Sequence, residues 1–303
     1  MEHPQQRAGI IAGLTAYVVW GLLTIYWKQL RAFDAFELIG WRIVASAAVM
    51  AVVLTVTRRW GRLRVLRGNR ALIARVAAAS ILLTANWTAY VYAVVHGQVL
   101  ETALGYFIAP IGTVTVGVLV LHEPLRMAQR VSLVFAVASV VVLSIANGRV
   151  PWLALLIAGS WTVYGYLKKQ VPLSPIESMA AESFLLTPAA LALAVALSGR
   201  TGSVASSANG LELTYVLLSG LATVTPLMLF AYAAQRVPLT VIGPMQYLVP
   251  SMNFLIGWLM YHEPLSAAKV AGFAVLWAGL AVLTADTVRR SRRPSPSLAG
   301  ATG

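Results

Sequence analysis

The dominant pattern along the chain is a series of long apolar runs separated by short polar segments. A run of about 20 apolar residues is the length that crosses the hydrocarbon core of a bilayer as an α-helix. The pattern therefore predicts an all-α membrane protein with ten transmembrane helices. These helices are expected near residues 8–27, 38–57, 72–95, 102–121, 129–146, 151–167, 177–197, 211–235, 239–261 and 266–284.

Composition supports a membrane protein. Apolar residues make up 59% of the 303 residues and charged residues only 11%, whereas a soluble domain carries about 25% charged residues. The net charge of +13 comes from basic residues between the apolar runs. Because they lie between apolar runs and form no soluble recognition module, they indicate membrane-flanking loops rather than a nucleic-acid site. The absence of cysteine excludes disulfides and thiolate metal ligands.

The distribution of the basic residues predicts the orientation. With the N-terminus inside, 17 Lys and Arg residues fall on the cytoplasmic side and five on the other. This asymmetry follows the positive-inside rule. We therefore expect a multi-pass protein of the cell inner membrane with both termini in the cytoplasm. The segment 288–303 is predicted to be a disordered basic cytoplasmic tail.

The two halves of the chain are related by an offset of 140 residues without a gap. The string His-Glu-Pro-Leu occurs at 122–125 and again at 262–265, and matches of single residues extend from the first predicted helix to the last. The halves, 1–146 and 147–287, are each predicted to form a five-helix repeat. Since five is odd, the second repeat enters the membrane inverted relative to the first.

Inverted repeats are typical of secondary transporters, in which the two repeats exchange conformations and so alternate access to a central site. We therefore predict transport of a small organic metabolite or drug-like solute, with the solute and the lipid bilayer as partners and no cofactor, metal or nucleic acid. The alternatives are a channel-like facilitator, a non-catalytic membrane scaffold and, less favoured, an integral-membrane enzyme. The oligomeric state stays open, with a homodimer among the options.

Several motifs resemble the EamA-type permeases of the drug/metabolite transporter superfamily, most closely their RarD subgroup, and the resemblance covers essentially the whole chain. It implies a ten-helix permease that acts as an exporter. One departure is Ala109, where RarD-like proteins often have Asn. The motifs are Trp20-Gly21, Tyr26-Trp27-Lys28, Glu37 with Arg42, Asn86-Trp87, Tyr90, His96-Gly97, Leu100-Glu101, Leu104-Gly105-Tyr106-Phe107-Ile108 before Pro110, Pro151-Trp152, Gln246-Tyr247, Pro250 and Glu263-Pro264-Leu265.

Two charged residues lie within predicted spans at equivalent positions of the repeats, Arg42 and Glu182. Arg42 is a candidate fixed charge for an anionic substrate, and the alternative is a side chain that snorkels to the interface. Glu182 is a candidate site of proton coupling, and the alternative is a carboxylate solvated in a cytoplasmic vestibule. Since the two charges should lie near opposite faces of the membrane, we expect no direct ion pair between them.

A polar stripe recurs in both repeats. Tyr106, Pro110 and Thr113 share one helical face, and Gln246, Pro250 and Asn253 share the equivalent one. A proline within a helix leaves a carbonyl free to bind solute or bends the helix. We predict that these residues line the transport pathway, and the alternative is a pair of ordinary kinks packed among polar neighbours.

Three further residues are pathway candidates. Asn86 and Tyr90 are four residues apart on one predicted helix and so share a face, although interhelical hydrogen bonding would explain them equally well. Trp20 lies in the middle of the first predicted helix and is a candidate cavity aromatic. Trp27, near the end of that helix, is instead expected to anchor it at the interface.

The duplicated His-Glu-Pro-Leu string is interpreted as structural. Glu123 and Pro124 precede a predicted helix, where a carboxylate complements the helix dipole and a proline needs no hydrogen-bond acceptor. The chain has neither a His-Glu-x-x-His motif nor a Walker-type glycine loop, so a zinc protease and ATP-driven pumping by this chain are not supported.

Overall fold

The structure, a computed structural model, describes residues 4–95, 99–147, 152–262 and 267–291. Within these ranges all regular secondary structure is helical. A 3-10 helix, Trp60–Leu66, lies in the Arg-rich segment between the second and third α-helices. The α-helices are α1 Pro4–Lys28, α2 Ala35–Val56, α3 Arg70–Val95, α4 Val99–Leu119, α5 Met127–Asn147, α6 Trp152–Gln170, α7 Pro175–Ser198, α8 Val204–Ser207, α9 Gly210–Ala234, α10 Leu239–Met245, α11 Leu248–Leu259 and α12 Ala267–Ser291.

Short polar sequences determine where several helices begin. Asp34 caps α2 by accepting hydrogen bonds from the backbone N–H groups of Phe36 and Glu37. Asn209 and Glu212 form a reciprocal capping box at the start of α9. These bonds satisfy amide groups that have no partner within the helix, so each helix begins just after a polar turn.

The exposed surface of the bundle is apolar, while charged side chains are buried in its interior. Val56, Leu119 and Ile145 are 70–77% exposed, whereas Lys168 and Glu182 are each 1% exposed. This distribution is the reverse of that in a soluble protein and fits a bundle whose solvent is lipid.

Six helical segments in the described part of the chain are long and apolar enough to cross a membrane, and three shorter apolar helices accompany them. The six are Pro4–Lys28, Ala35–Val56, Arg70–Ala93, Pro175–Ser198, Gly210–Ala234 and Leu239–Leu259. The shorter ones are Leu104–Leu119, Met127–Val142 and Val270–Asp286. These helices define a multi-pass membrane protein.

The helix predicted over 239–261 is interrupted in the structure. α10 ends at Met245 and α11 begins at Leu248. Pro250 cannot donate to the carbonyl four residues earlier, that of Gln246, and its ring collides there. The equivalent Pro110 lies inside the continuous helix α4. The difference follows from Pro244 within α10, a second proline where the first repeat has Leu104.

The helices pack so that equivalent elements of the two halves meet. α2 packs against α7, α4 against α10, and α5 against α12. Two further contacts are equivalent to each other, because α3 packs against α6 in the same way that α9 packs against α1. The hydroxyl of Tyr247 donates to the carbonyl of Phe107 at 3.0 Å, and these positions are 140 residues apart. A residue can meet its own equivalent only close to a twofold axis, so the axis relating the halves passes between α4 and the α10–α11 segment.

Equivalent helices run antiparallel to each other. Near the start of α2, a Cβ atom on Gly40 would lie 2.9 Å from the carbonyl oxygen of Ala190, late in α7. At the other end of the pair, Arg59 just after α2 contacts Glu177 at the start of α7. The missing side chain of Gly40 permits this close backbone approach, as small residues do between membrane helices.

The end of the bundle where α2 finishes, here called the Arg59 end, is closed by ion pairs between the two halves. Arg59 Nη1 lies 3.4 Å from Glu177 Oε1, and Lys169 Nζ lies 3.5 Å from Glu123 Oε1. Glu123 also accepts from the backbone N–H of Thr240 at 2.9 Å. The prediction for Glu123 is therefore corrected, because its carboxylate caps α10 of the other half rather than the helix that follows it.

The opposite end, here called the Lys28 end, is closed by a cation–π contact and by hydrogen bonds from the backbone to a carboxylate. The ammonium of Lys28 lies 2.9 Å from the centroid of the Tyr261 ring. Glu37 is buried and accepts from the backbone N–H of Val204 at 3.1 Å. In the second His-Glu-Pro-Leu string, the structure describes His262, whereas residues 263–265 lie outside the described residues. His96, Gly97 and the segment 292–303 also lie outside them.

Candidate functional site

An aromatic cluster occupies the middle of the bundle. The Trp20 ring of α1 lies 5.3 Å from Trp161 of α6, 5.5 Å from Tyr17 and 5.9 Å from Phe230 of α9. The Trp161 and Phe230 rings are 5.1 Å apart. The sequence candidate Trp20 thus lies where helices from both halves converge. Ring pairs at these separations stabilise packing beyond the area that they bury.

A buried glutamine joins this cluster to α4. The indole Nε1 of Trp161 donates to Gln246 Oε1 at 3.1 Å, and Gln246 Nε2 donates to the Thr113 hydroxyl at 2.8 Å. Gln246 lies at the break between α10 and α11, where the backbone departs from a regular helix. The structure therefore brings the two predicted stripes together through Gln246 and Thr113.

The other stripe residues have separate environments. Pro110 and Pro250 are buried. Asn253 Oδ1 accepts a hydrogen bond from the Thr24 hydroxyl of α1 at 2.7 Å. Tyr106 points toward α3, where its ring centroid lies 6.0 Å from that of Tyr90. The residues of the two predicted stripes therefore lie in two places. Gln246 and Thr113 meet at the centre of the bundle, whereas Tyr106 belongs to a second group of aromatic residues.

That second group surrounds Arg42. The guanidinium carbon lies 3.8 Å from the centroid of Trp87 and 5.3 Å from that of Trp27. Tyr90 and Tyr106 lie close enough to interact electrostatically with the guanidinium. We call Arg42 with these four aromatic residues the Arg42 cage. Its parts come from α1, α2, α3 and α4, near the Lys28 end.

The cage includes two tryptophans that sequence reasoning did not assign to a site. Trp27 is the predicted interface anchor, and it lies within cation–π range of Arg42. Trp87 belongs to the Asn86-Trp87 motif, which identified a family resemblance but no role. No periodicity in the sequence shows that Trp87 faces α2, because that depends on how α3 is rotated.

Asn86 is engaged elsewhere. Its amide nitrogen donates to the Ile157 carbonyl at 2.8 Å and to the Ser160 hydroxyl at 3.1 Å, both on α6. These are the interhelical hydrogen bonds that the sequence left open as an alternative. The contribution of Asn86 to a pathway stays a prediction.

Glu182 lies in a buried polar cluster near the Arg59 end. It forms an ion pair with Lys168, accepts from the Ser178 hydroxyl at 2.9 Å, and accepts from the Tyr164 hydroxyl at 3.2 Å. Lys168 Nζ also donates to Ser178 at 2.8 Å. Glu182 therefore pairs with Lys168 and not with Arg42. Because its side chain is only 1% exposed, its carboxylate is not solvated by a cytoplasmic vestibule in this conformation.

Lys168 is a residue that sequence reasoning missed as part of a site. It was counted among the cytoplasmic charges, although it lies four residues after Tyr164 and so shares a helical face with it. It is also equivalent to Lys28 under the 140-residue offset. Those two signals together could have identified it.

An apolar exterior, a buried ion pair and a polar bridge at a helix break define a polytopic membrane protein with polar groups inside its apolar core. The model of the EamA-like transporter family matches the chain twice, over residues 7–145 and 149–285. The chain belongs to this family, which agrees with the resemblance found in its motifs. Its membership supports membrane transport.

Relatives of known name agree with this assignment. The chain is 39% identical to Protein RarD of Streptomyces exfoliatus over 98% of its own length and 94% of the relative. It is 36% identical to the uncharacterized transporter YojE of Bacillus subtilis over 96% and 98% of the two chains. It is 31% identical to Protein RarD of Escherichia coli over 97% and 100%.

A protein of known crystal structure shares the fold. The superposition has a TM-score of 0.72 at 20% sequence identity and covers 91% of this chain and 97% of the other. At this identity the likeness concerns the helical arrangement alone. It supports the packing of the helices described above.

Proposed function

We propose that the protein is a secondary transporter that moves a small organic metabolite or drug-like solute across the inner membrane by alternating access, as an exporter. Ten spans would be formed by α1 to α7, α9, the α10–α11 pair and α12, as two inverted five-helix repeats. Both termini would then be cytoplasmic, with the Arg59 end on the cytoplasmic side, as the distribution of basic residues favours.

The observation that carries this proposal is the antiparallel pairing of equivalent helices about an axis between α4 and α10. Two halves related in this way can exchange conformations, which converts an opening at one face into an opening at the other. Polar side chains lie at the junction, where Gln246 links Trp161 to Thr113. A scaffold would need no such buried polar bridge, since buried polar groups in a bilayer are costly.

The pathway would run from the Arg42 cage through the central cluster toward Glu182. Trp20, Gln246 and Asn253 would line the middle, where Pro110 and Pro250 allow local adjustment of the helices. Protonation of Glu182 would remove the counter-charge of Lys168 and weaken the contact between α6 and α7. The buried pair of Glu182 with Lys168 supports a role for Glu182 in proton coupling.

The test uses single cysteines, because the natural chain contains none. Gln246→Cys, in the middle of the bundle, should be labelled by a membrane-impermeant thiosulfonate added from either side of sealed vesicles. Ile81→Cys is the matched control, since Ile81 lies halfway along α3 and is 65% exposed on the lipid surface. It should be labelled from neither side.

The outcomes separate the candidate functions. Labelling of Gln246→Cys from both sides supports alternating access. Labelling from one side alone would contradict it, and labelling from neither side would favour the scaffold. Arg31→Cys at the Lys28 end and Arg67→Cys at the Arg59 end should be labelled from opposite sides, which checks the proposed topology.

A further inference from the structure

Arg42 stands out because its positive charge is enclosed without a carboxylate partner. Its Nε atom is buried and makes no hydrogen bond. Among the described residues, no Asp or Glu oxygen lies within 4.0 Å of the guanidinium. The cation–π contacts with Trp27 and Trp87 compensate this charge only in part, so a counter-charge from outside the described chain would stabilise it.

The second repeat contains an internal comparison. Under the 140-residue offset, Lys28 corresponds to Lys168 and Arg42 to Glu182. In the second repeat, the two residues form a buried ion pair. In the first repeat, the carboxylate is replaced by Arg42, and Lys28 lies against Tyr261 instead. The first repeat therefore has two cations where the second has a neutral pair.

The geometry points to an amphipathic organic anion as the substrate class, with one carboxylate bound by Arg42 and an apolar body between Trp27 and Trp87. This inference rests on the proposed transport function and deepens it. A guanidinium matches a carboxylate because its planar donors form charge-assisted hydrogen bonds. The indole faces contact both the guanidinium and an apolar group without requiring further hydrogen bonds.

The aromatic residues also argue against a small inorganic anion as the natural ligand. An inorganic anion would gain little from rings that cannot donate to it, and it would leave the apolar walls of the cage without contact. An organic carboxylate uses both parts of the site. Trp27 and Trp87 therefore select for an apolar body, while Arg42 selects for charge.

The experiment compares matched solutes on purified full-length protein. A panel of aryl and alkyl carboxylates, each with its primary amide, is screened by the thermal shift of intrinsic tryptophan fluorescence, because a ligand that binds the folded state stabilises it. At least one carboxylate should stabilise the protein where its amide does not. Arg42→Gln should raise the dissociation constant of that carboxylate by about 10- to 100-fold.

Arg31→Gln is the matched control. Arg31 is exposed at the same end of the bundle, so this variant removes the same charge without altering the cage. It should bind the carboxylate as the natural chain does. Trp87→Leu should weaken binding of the aryl carboxylate, and Arg42→Lys should recover part of the affinity lost in Arg42→Gln.

Three results would overturn the inference. These are equal stabilisation by carboxylates and their amides, equal effects of Arg31→Gln and Arg42→Gln, and the absence of Arg42-dependent binding across the whole panel. Failure of the transport proposal looks different. In that case a carboxylate binds through Arg42, yet Gln246→Cys is labelled from one side or from neither side of sealed vesicles.

Discussion

At the scale of the residue, two fully buried carboxylates have identifiable partners. Glu182 has Lys168, and Glu37 has the backbone N–H of Val204. A buried ion pair contributes little relative to an apolar pair of the same size, but removal of one partner is costly because the other is left charged. Arg42 differs from them, since its Nε has no partner.

The ion pair yields a prediction about stability. Glu182→Gln should lower the free energy of unfolding by about 3–5 kcal/mol, because Lys168 remains charged and buried. The double variant Glu182→Gln with Lys168→Met should recover most of that loss. Chemical denaturation in mixed micelles measures both.

Glu212→Gln is the control for this series. Glu212 belongs to the capping box of α9, and Gln serves at that position as well as Glu does, so the free energy of unfolding should change by less than about 0.5 kcal/mol. A Glu182→Gln variant as stable as this control would show that the buried pair does not hold α6 against α7.

At the scale of the element, glycines determine how closely helices approach. A Cβ atom on Gly220 of α9 would fall on the backbone of Ala45 in α2, whereas one on Gly159 of α6 would meet nothing within 4 Å. Membrane helices gain stability mainly from such close packing, since lipid provides little hydrophobic drive for association. The two glycines therefore have different roles despite their identical chemistry.

The glycines yield a prediction about helix packing. Gly220→Ala should destabilise the protein by about 1–3 kcal/mol, because the backbones of α2 and α9 must separate to accommodate the methyl group. Gly159→Ala should be neutral or stabilising by about 0.5–1 kcal/mol, because alanine loses less conformational entropy in a helix. Thermal unfolding of the two variants side by side decides the matter, and equal destabilisation would refute the packing of α2 on α9.

At the scale of the whole molecule, the two ends of the bundle are closed by different interactions. The Arg59 end has ion pairs between the halves, Arg59 with Glu177 and Lys169 with Glu123. In the proposed transport cycle, these pairs must break before a pathway opens there. Since the basic partner of each pair is partly exposed, Arg59 at 32% and Lys169 at 23%, each pair contributes about 0.2–1 kcal/mol, enough to shift the balance between two conformations without locking either.

The closure of the Arg59 end yields a prediction about access. The double variant Glu123→Gln with Glu177→Gln should increase the labelling rate of Gln246→Cys from that side by about two- to thirtyfold, as the two pairs together imply. Arg64→Gln is the control, because Arg64 is exposed at the same end and forms no ion pair with a described residue. An unchanged labelling rate in the double variant would show that these ion pairs do not gate access.

The sequence by itself determined that the chain is a helical membrane protein with two related halves. Its apolar runs and repeat offset are local or linear properties, so they can be read without knowing any contact between helices. The family followed from motifs such as Gln246-Tyr247. Candidate residues could be named because polar groups within apolar runs are rare.

Only the tertiary structure decided which of those residues meet. Helix tilt and rotation place Lys168 beside Glu182, and Trp87 beside Arg42, and neither follows from spacing along one helix. The break at Gln246 likewise depends on two prolines and on the hydrogen bonds that α4 and α6 form with the buried side chains of Gln246 and Tyr247. Secondary structure in a bilayer is imposed residue by residue through backbone hydrogen bonding, whereas a site between helices depends on packing of the whole bundle.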